Sequence, residues 1–242
     1  MHDWTEEALS ELPIRGGFRL RGLEMTRLET FTDAAFAFAT TMLVISMSGI
    51  PESVGDLVHA LKEVPAFLAS FATIASFWNA HRRWSRRFGL EDGWSTLISL
   101  ALVFVMLIYV YPLKMVFGAL FFWISGGALP LDNFRFIATE LPTLFVVYGI
   151  GFFALTGLIS LLYVRALRAA NQLLLDERER VLTRSDVVSF SVMAATGLAS
   201  AMAAGFLPVR LGVWAGFAYA TLPITMPWIA IRYANRAERA AG

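Results

Sequence analysis

Six long apolar stretches, separated by arginine-rich or turn-forming segments, constrain this chain more than any single motif. A helix needs about 20 apolar residues to cross the hydrocarbon core of a bilayer, and several of these stretches approach or exceed that length. Only 16% of the 242 residues are charged, against roughly 25% in an average soluble domain. A soluble globule of this size has no way to bury six helices that are apolar on every side. The pattern predicts an all-α polytopic membrane protein, a single domain over 1–242.

The six spans are expected at about Asp33–Ile50, Pro65–Trp84, Trp94–Phe122, Phe136–Val164, Val187–Leu207 and Leu211–Tyr233. Gly49 and Pro51 stop the first. Pro65 suits a helix start, where its missing N–H costs little. The third carries Pro112 inside it, so a kink is expected there. At 1.5 Å per residue it would measure roughly 43 Å, more than the ~30 Å core, so it tilts or projects.

Charge then orients the spans. The segments before span one, between two and three, between four and five, and after six hold four, four, five and three arginines. The opposite side holds only Lys62, Arg135 and Arg210. Sixteen against three follows the positive-inside rule and places both termini in the cytoplasm of a cell whose inner (plasma) membrane holds the chain. Three parts would be cytoplasmic: the segment 1–32, a helical extension at 165–186 and the tail 233–242. The mixed charges of the extension read most simply as a solvated face. The acidic start of the chain has no apolar core of a signal peptide.

The first span is unusual for a helix facing lipid. It is rich in small residues (Ala34, Ala35, Ala37, Ala39) and hydroxyls (Thr40, Thr41, Ser46, Ser48), the composition of helix contacts inside membranes. One row at helical spacing is bulky: Phe38, Met42 and Ile45. Such a row suits a pore lining with a hydrophobic constriction, although large apolar residues at this spacing also serve ordinary bundle packing.

Asp33 opens the span, with Arg27 six residues earlier. Two readings stay open. Thr32 or Asp33 caps the helix, or Asp33 joins a structural network with Trp78, Asn79, His81 and Arg82 at the same depth on span two, since ionisable groups near hydrocarbon pair. Lys114 is expected to snorkel to the outer interface or to meet carbonyls freed by the Pro112 kink.

Enzymatic chemistry has little support. There is no cysteine, and the three histidines (His2, His59, His81) fall at no metal-binding spacing. No phosphate loop, nucleophile elbow or zinc motif occurs, and neither a cofactor nor nucleic acid is expected. No Thr-Val-Gly-Tyr-Gly filter and no helix with arginine at every third position is present.

Arg27, Phe31, Thr32 and Asp33, followed by Phe77, Trp78 and His81, resemble the Arg-xxx-Phe-Ser-Asp and Phe-Trp-xx-His elements of the endolysosomal potassium channel and its bacterial homologues. The resemblance implies a homotetramer of six-helix subunits in a lipid membrane. Its potassium pore would be lined by four copies of helix one and narrowed at Phe38, Met42 and Ile45, with Thr41 contributing to selectivity. It carries two departures: Thr32 replaces the motif serine, and Phe38 replaces an aliphatic residue at the bottleneck. The alternative reading is a proton-coupled or proton-conducting transporter that uses Asp33 and His81.

Overall fold

The computed structural model describes residues 4–46, 51–130, 140–212 and 214–241. The expected end of the first span at Ile50 and the start of the fourth at Phe136, together with Arg135, lie outside the described residues.

Among the described residues, five helices are long and apolar enough to cross a membrane. They are α2 (Arg27–Ile45), α3 (Val54–Phe88), α4 (Gly93–Ile124), α5 (Leu141–Arg168) and α6 (Glu177–Phe206). The chain therefore starts its first crossing six residues before Asp33, because Thr26 rather than Asp33 is the N-cap: its side chain accepts from the Glu29 N–H at 3.0 Å. Likewise α3 runs on both sides of Pro65, which sits inside the helix rather than at its start.

The expected sixth span, Leu211–Tyr233, is not one uninterrupted helix. It is divided among α7 (Val209–Gly212), a 3-10 helix (Ala215–Thr221) and α8 (Leu222–Ala241). Glycine disfavours helix interiors, and Gly212 and Gly216 fall where the stretch changes element, while Pro223 stands in the first turn of α8, where its missing N–H costs little, and Pro227 lies inside α8. The 165–186 segment is shared between two helices. The end of α5 reaches Arg168, and α6 starts at Glu177 behind a capping box made by Asp176 and Glu179.

Side chains of all five long helices build one core, with Phe190 from α6. Leu43 of α2, Ile74 of α3, Leu102 of α4 and Leu155 of α5 are fully buried within it. The α5–α6 contact is especially close. A Cβ on Gly149 would meet the Gly197 carbonyl at 2.6 Å, and one on Gly197 would meet the Gly149 carbonyl at 2.9 Å. Without a hydrophobic force between helices in lipid, such close backbone packing is what holds them.

The segment before α2 is folded. A short helix, α1 (Glu6–Ser10), precedes a hairpin of β1 (Ile14–Arg15) and β2 (Phe18–Arg19). Gly16 and Gly17 turn it with φ of 58° and 82°, the left-handed pair that a tight hairpin turn requires. Phe18 is buried edge-on against Phe88, with the Arg87 guanidinium 4.1 Å over its ring. The Arg21 guanidinium grips both oxygens of Glu179 at 2.8 and 2.9 Å and donates to the Leu173 carbonyl. Arg19 reaches Asp176 at 2.8 Å. The hairpin thus lies across the α3–α4 and α5–α6 turns and fixes where α2 begins.

Candidate functional site

α2 has two distinct faces. Glu29, Thr32, Phe36, Ala39 and Leu43 are buried, a repeat of three and four residues that marks one side of a helix. On the opposite side Phe38 is 56% exposed and Ile45 66% exposed in the single subunit, with Phe31 and Thr41 also outward. Met42 is half-buried at the flank and touches the core. At 3.6 residues per turn it lies about 40° round from Phe38 toward the buried side. Thr41 donates its hydroxyl proton to the Ala37 carbonyl at 3.1 Å, which leaves its oxygen lone pairs as acceptors.

The residues around Asp33 are distributed over three helices. Trp78 of α3 donates its indole N–H to the Asp33 carboxylate at 2.8 Å, and the Arg82 guanidinium lies 5.4 Å over the Trp78 ring. Thr32 turns its hydroxyl back to the Leu28 carbonyl of its own helix. His81 is buried and faces α4, where its Nε2 lies 3.0 Å from the Ser99 hydroxyl. No hydrogen bond joins Asp33 to His81 among the described residues. Asn79 faces outward, and Arg27 and Phe31 border an open groove with Leu28, Glu91, Thr96 and Leu100.

Two features had escaped the reading of the sequence. Glu29 is buried and pairs with Arg86 of α3 at 3.3 Å, adding a second tie between α2 and α3 one turn from Asp33. At the far end of α2, Lys114 neither snorkels nor meets carbonyls of its own kinked helix. It is buried, donates to the Ser46 carbonyl at the C-cap of α2, and lies 3.5 Å from the Glu63 carboxylate of α3. Its depth was a usable signal. α3 and α4 are antiparallel neighbours joined by a short turn, so residues equally far from that turn meet. Glu63 lies about 25 residues before the end of α3 and Lys114 about 21 beyond the start of α4, at 1.5 Å per residue a similar height.

These observations define a multi-pass helical membrane protein whose first long helix is fastened at both ends and carries an outward apolar, hydroxyl-bearing face. The family pattern for the endosomal/lysosomal potassium channel TMEM175 matches residues 27–112, which include both motif segments. A Marivirga tractuosa protein named potassium channel is 35% identical over 219 residues, covering 85% of this chain and 86% of the relative. The crystal structure of a variant of the potassium channel MtTMEM175, in complex with a nanobody–MBP fusion protein, superposes with a TM-score of 0.76. It is 31% identical and covers 93% of this chain and 99% of that one. A TMEM175 homologue from Chamaesiphon minutus, described as a lysosomal potassium-selective channel homologue, matches with a TM-score of 0.54 at 20% identity, over 86% and 96% of the two chains, a likeness of fold. The chain belongs to the TMEM175 family of potassium channels, a family of ion channels and not of enzymes.

Proposed function

We propose that this chain conducts potassium ions through a pore lined by α2 of four copies, closed by a hydrophobic constriction at Phe38, Met42 and Ile45. The observation that carries the reading is the outward row of α2. Phe38 and Ile45 are more than half exposed in the single subunit while the opposite face is buried, and the relatives named potassium channels match across this helix. Ala34 and Ala37 on the outward side let copies approach closely. An apolar ring too narrow for hydrated ions dewets and blocks flux, and modest widening wets it. Thr41 offers hydroxyl acceptors one turn beyond Phe38 and would favour a cation there. The four phenyl faces of Phe38 add a surface that attracts cations.

The sixth crossing is made by the broken stretch 209–233, and the positive-inside arrangement puts both termini in the cytoplasm of an inner-membrane channel surrounded by lipid. With no regular arginine series on any helix, gating is insensitive to voltage. Of the group expected to serve structure, Asp33 with Trp78 locks α2 to α3 and His81 with Ser99 joins α3 to α4, while Thr32 bonds within α2 and Arg27, Phe31 and Asn79 face outward. Replacing Phe38 in Phe38→Ala should raise potassium flux into liposomes, and particle images should show fourfold symmetry with α2 on the axis. Unchanged flux in that variant, or a monomeric particle, would overturn the proposal.

A further inference from the structure

The far end of α2 is held by a buried ion pair that the constriction itself does not need. Lys114 of α4 and Glu63 of α3 are 3% and 2% exposed, and the Lys114 ammonium reaches past Glu63 to the Ser46 carbonyl. Carbonyls in the last turn of a helix have no partner within it and carry the negative end of the helix dipole, so a cation at this point is favourable. A buried ion pair is weak evidence for stability, because well-packed apolar residues of similar volume often serve as well. What this pair supplies, and apolar packing does not, is a directional tie to one backbone atom. That atom belongs to the residue directly after Ile45.

We propose that Lys114, seated by Glu63, is a positioning residue for the channel: it holds the end of α2 against its own subunit and so sets how closely the Ile45 and Met42 positions of neighbouring copies approach. The inference rests on the pore-lining reading of α2. Apolar rows facing one another across a narrow water-filled gap attract, and left free they would close. The tie opposes that closure. A charge-assisted bond of this kind is worth a factor of about ten or more between held and released helix ends.

The chain has no cysteine, so Ile45→Cys gives a unique spin-label site in the full-length protein reconstituted in liposomes. In that background Lys114→Met should shorten and broaden the distances between labels on neighbouring copies, and should lower potassium flux per assembled channel about tenfold. Lys114→Arg, which keeps the charge and donors, should retain both. If Lys114→Met alone fails to assemble, Lys114→Met with Glu63→Gln removes both charges of the pair and carries the same test. Unchanged distances and flux in the assembled variant, while Phe38→Ala still raises flux, overturn the tie and leave the pore standing. Absence of any short distance between copies in Ile45→Cys, with flux unaltered in Phe38→Ala, removes the pore reading and the tie together.

Discussion

The two ends of the helix bundle are fastened in opposite ways. At the end that bears the N-terminal hairpin, Arg19–Asp176, Arg21–Glu179, Arg86–Glu29, Arg87–Asp186 and Arg165–Asp92 tie the hairpin segment to α6, α2 to α3, α3 to α6, and α5 to the α3–α4 turn. At the other end, among the described residues, Lys114–Glu63 is the ion pair. One end is a lattice of arginine forks, each able to bind a carboxylate with two donors. The pair at the other end is built on a lysine, a point charge on a flexible stem. The difference teaches that, among the described residues, α2 is anchored redundantly where it starts and through the Lys114–Glu63 junction where it ends. Movement of this helix is therefore expected to pivot about its beginning.

Breaking the redundant end should show how redundant it is. The largest effect is expected for Glu179→Ala, because both Glu179 and Arg21 side chains are fully buried and the variant leaves a guanidinium unpaired. Removing one partner of such a pair costs about 3–5 kcal/mol, which thermal unfolding of the purified channel in detergent would read directly. A loss under about 1 kcal/mol would mean that the hairpin detaches readily and that the anchoring is not cooperative. Trp78→Phe keeps the ring in place and deletes the indole donor to Asp33. We expect a loss of about 1.5–3 kcal/mol, the range for bonds to charged groups, with the fold still forming because Glu29–Arg86 remains. Simultaneous replacement in Trp78→Phe with Glu29→Gln should then cost more than either change by itself adds, as coupled neighbours do.

The smallest effect concerns pH. Burial works to raise the Asp92 carboxyl, but bonds from Ser95 and Arg165 outweigh it and hold the group below its ordinary value. A lowered folded pKa means that the stabilisation is complete above the unfolded value of about 4 and is lost as the pH falls through the folded value. Because the site is partly open to solvent, the loss should stay under about 1 kcal/mol. Melting temperatures of the parent and of Asp92→Asn, measured from about pH 5 downward, should converge as the medium becomes acidic. A gap that stays constant would place the tie elsewhere.

Much of the membrane plan was legible in the residues, and the exceptions have physical causes. Apolar length and arginine spacing marked the five long helices, because the bilayer imposes both. The same hydropathy could not reveal that 211–233 is divided among three elements, since average hydrophobicity does not register the local effect of Gly212 and Gly216. Helical spacing grouped Phe38, Met42 and Ile45 but did not show that Met42 lies on the flank, because a row has width. The Asp33 neighbourhood was visible as a set of residue types at one depth. Which of them bond was not: Trp78 meets Asp33 and His81 turns to Ser99, a choice made by lateral packing that one helix's sequence does not encode. The hairpin had a local signature in Ile14-Arg15-Gly16-Gly17-Phe18-Arg19. Two glycines between short branched and aromatic residues mark a tight turn, yet the apolar spans dominate a chain like this.

The Arg21–Glu179 contact joins residues 158 positions apart. During synthesis the hairpin leaves the ribosome first, and the carboxylate it needs follows only after four crossings have been threaded. The clasp therefore shuts late in biogenesis, and a chain truncated before α6 lacks the Glu179 carboxylate that Arg21 grips.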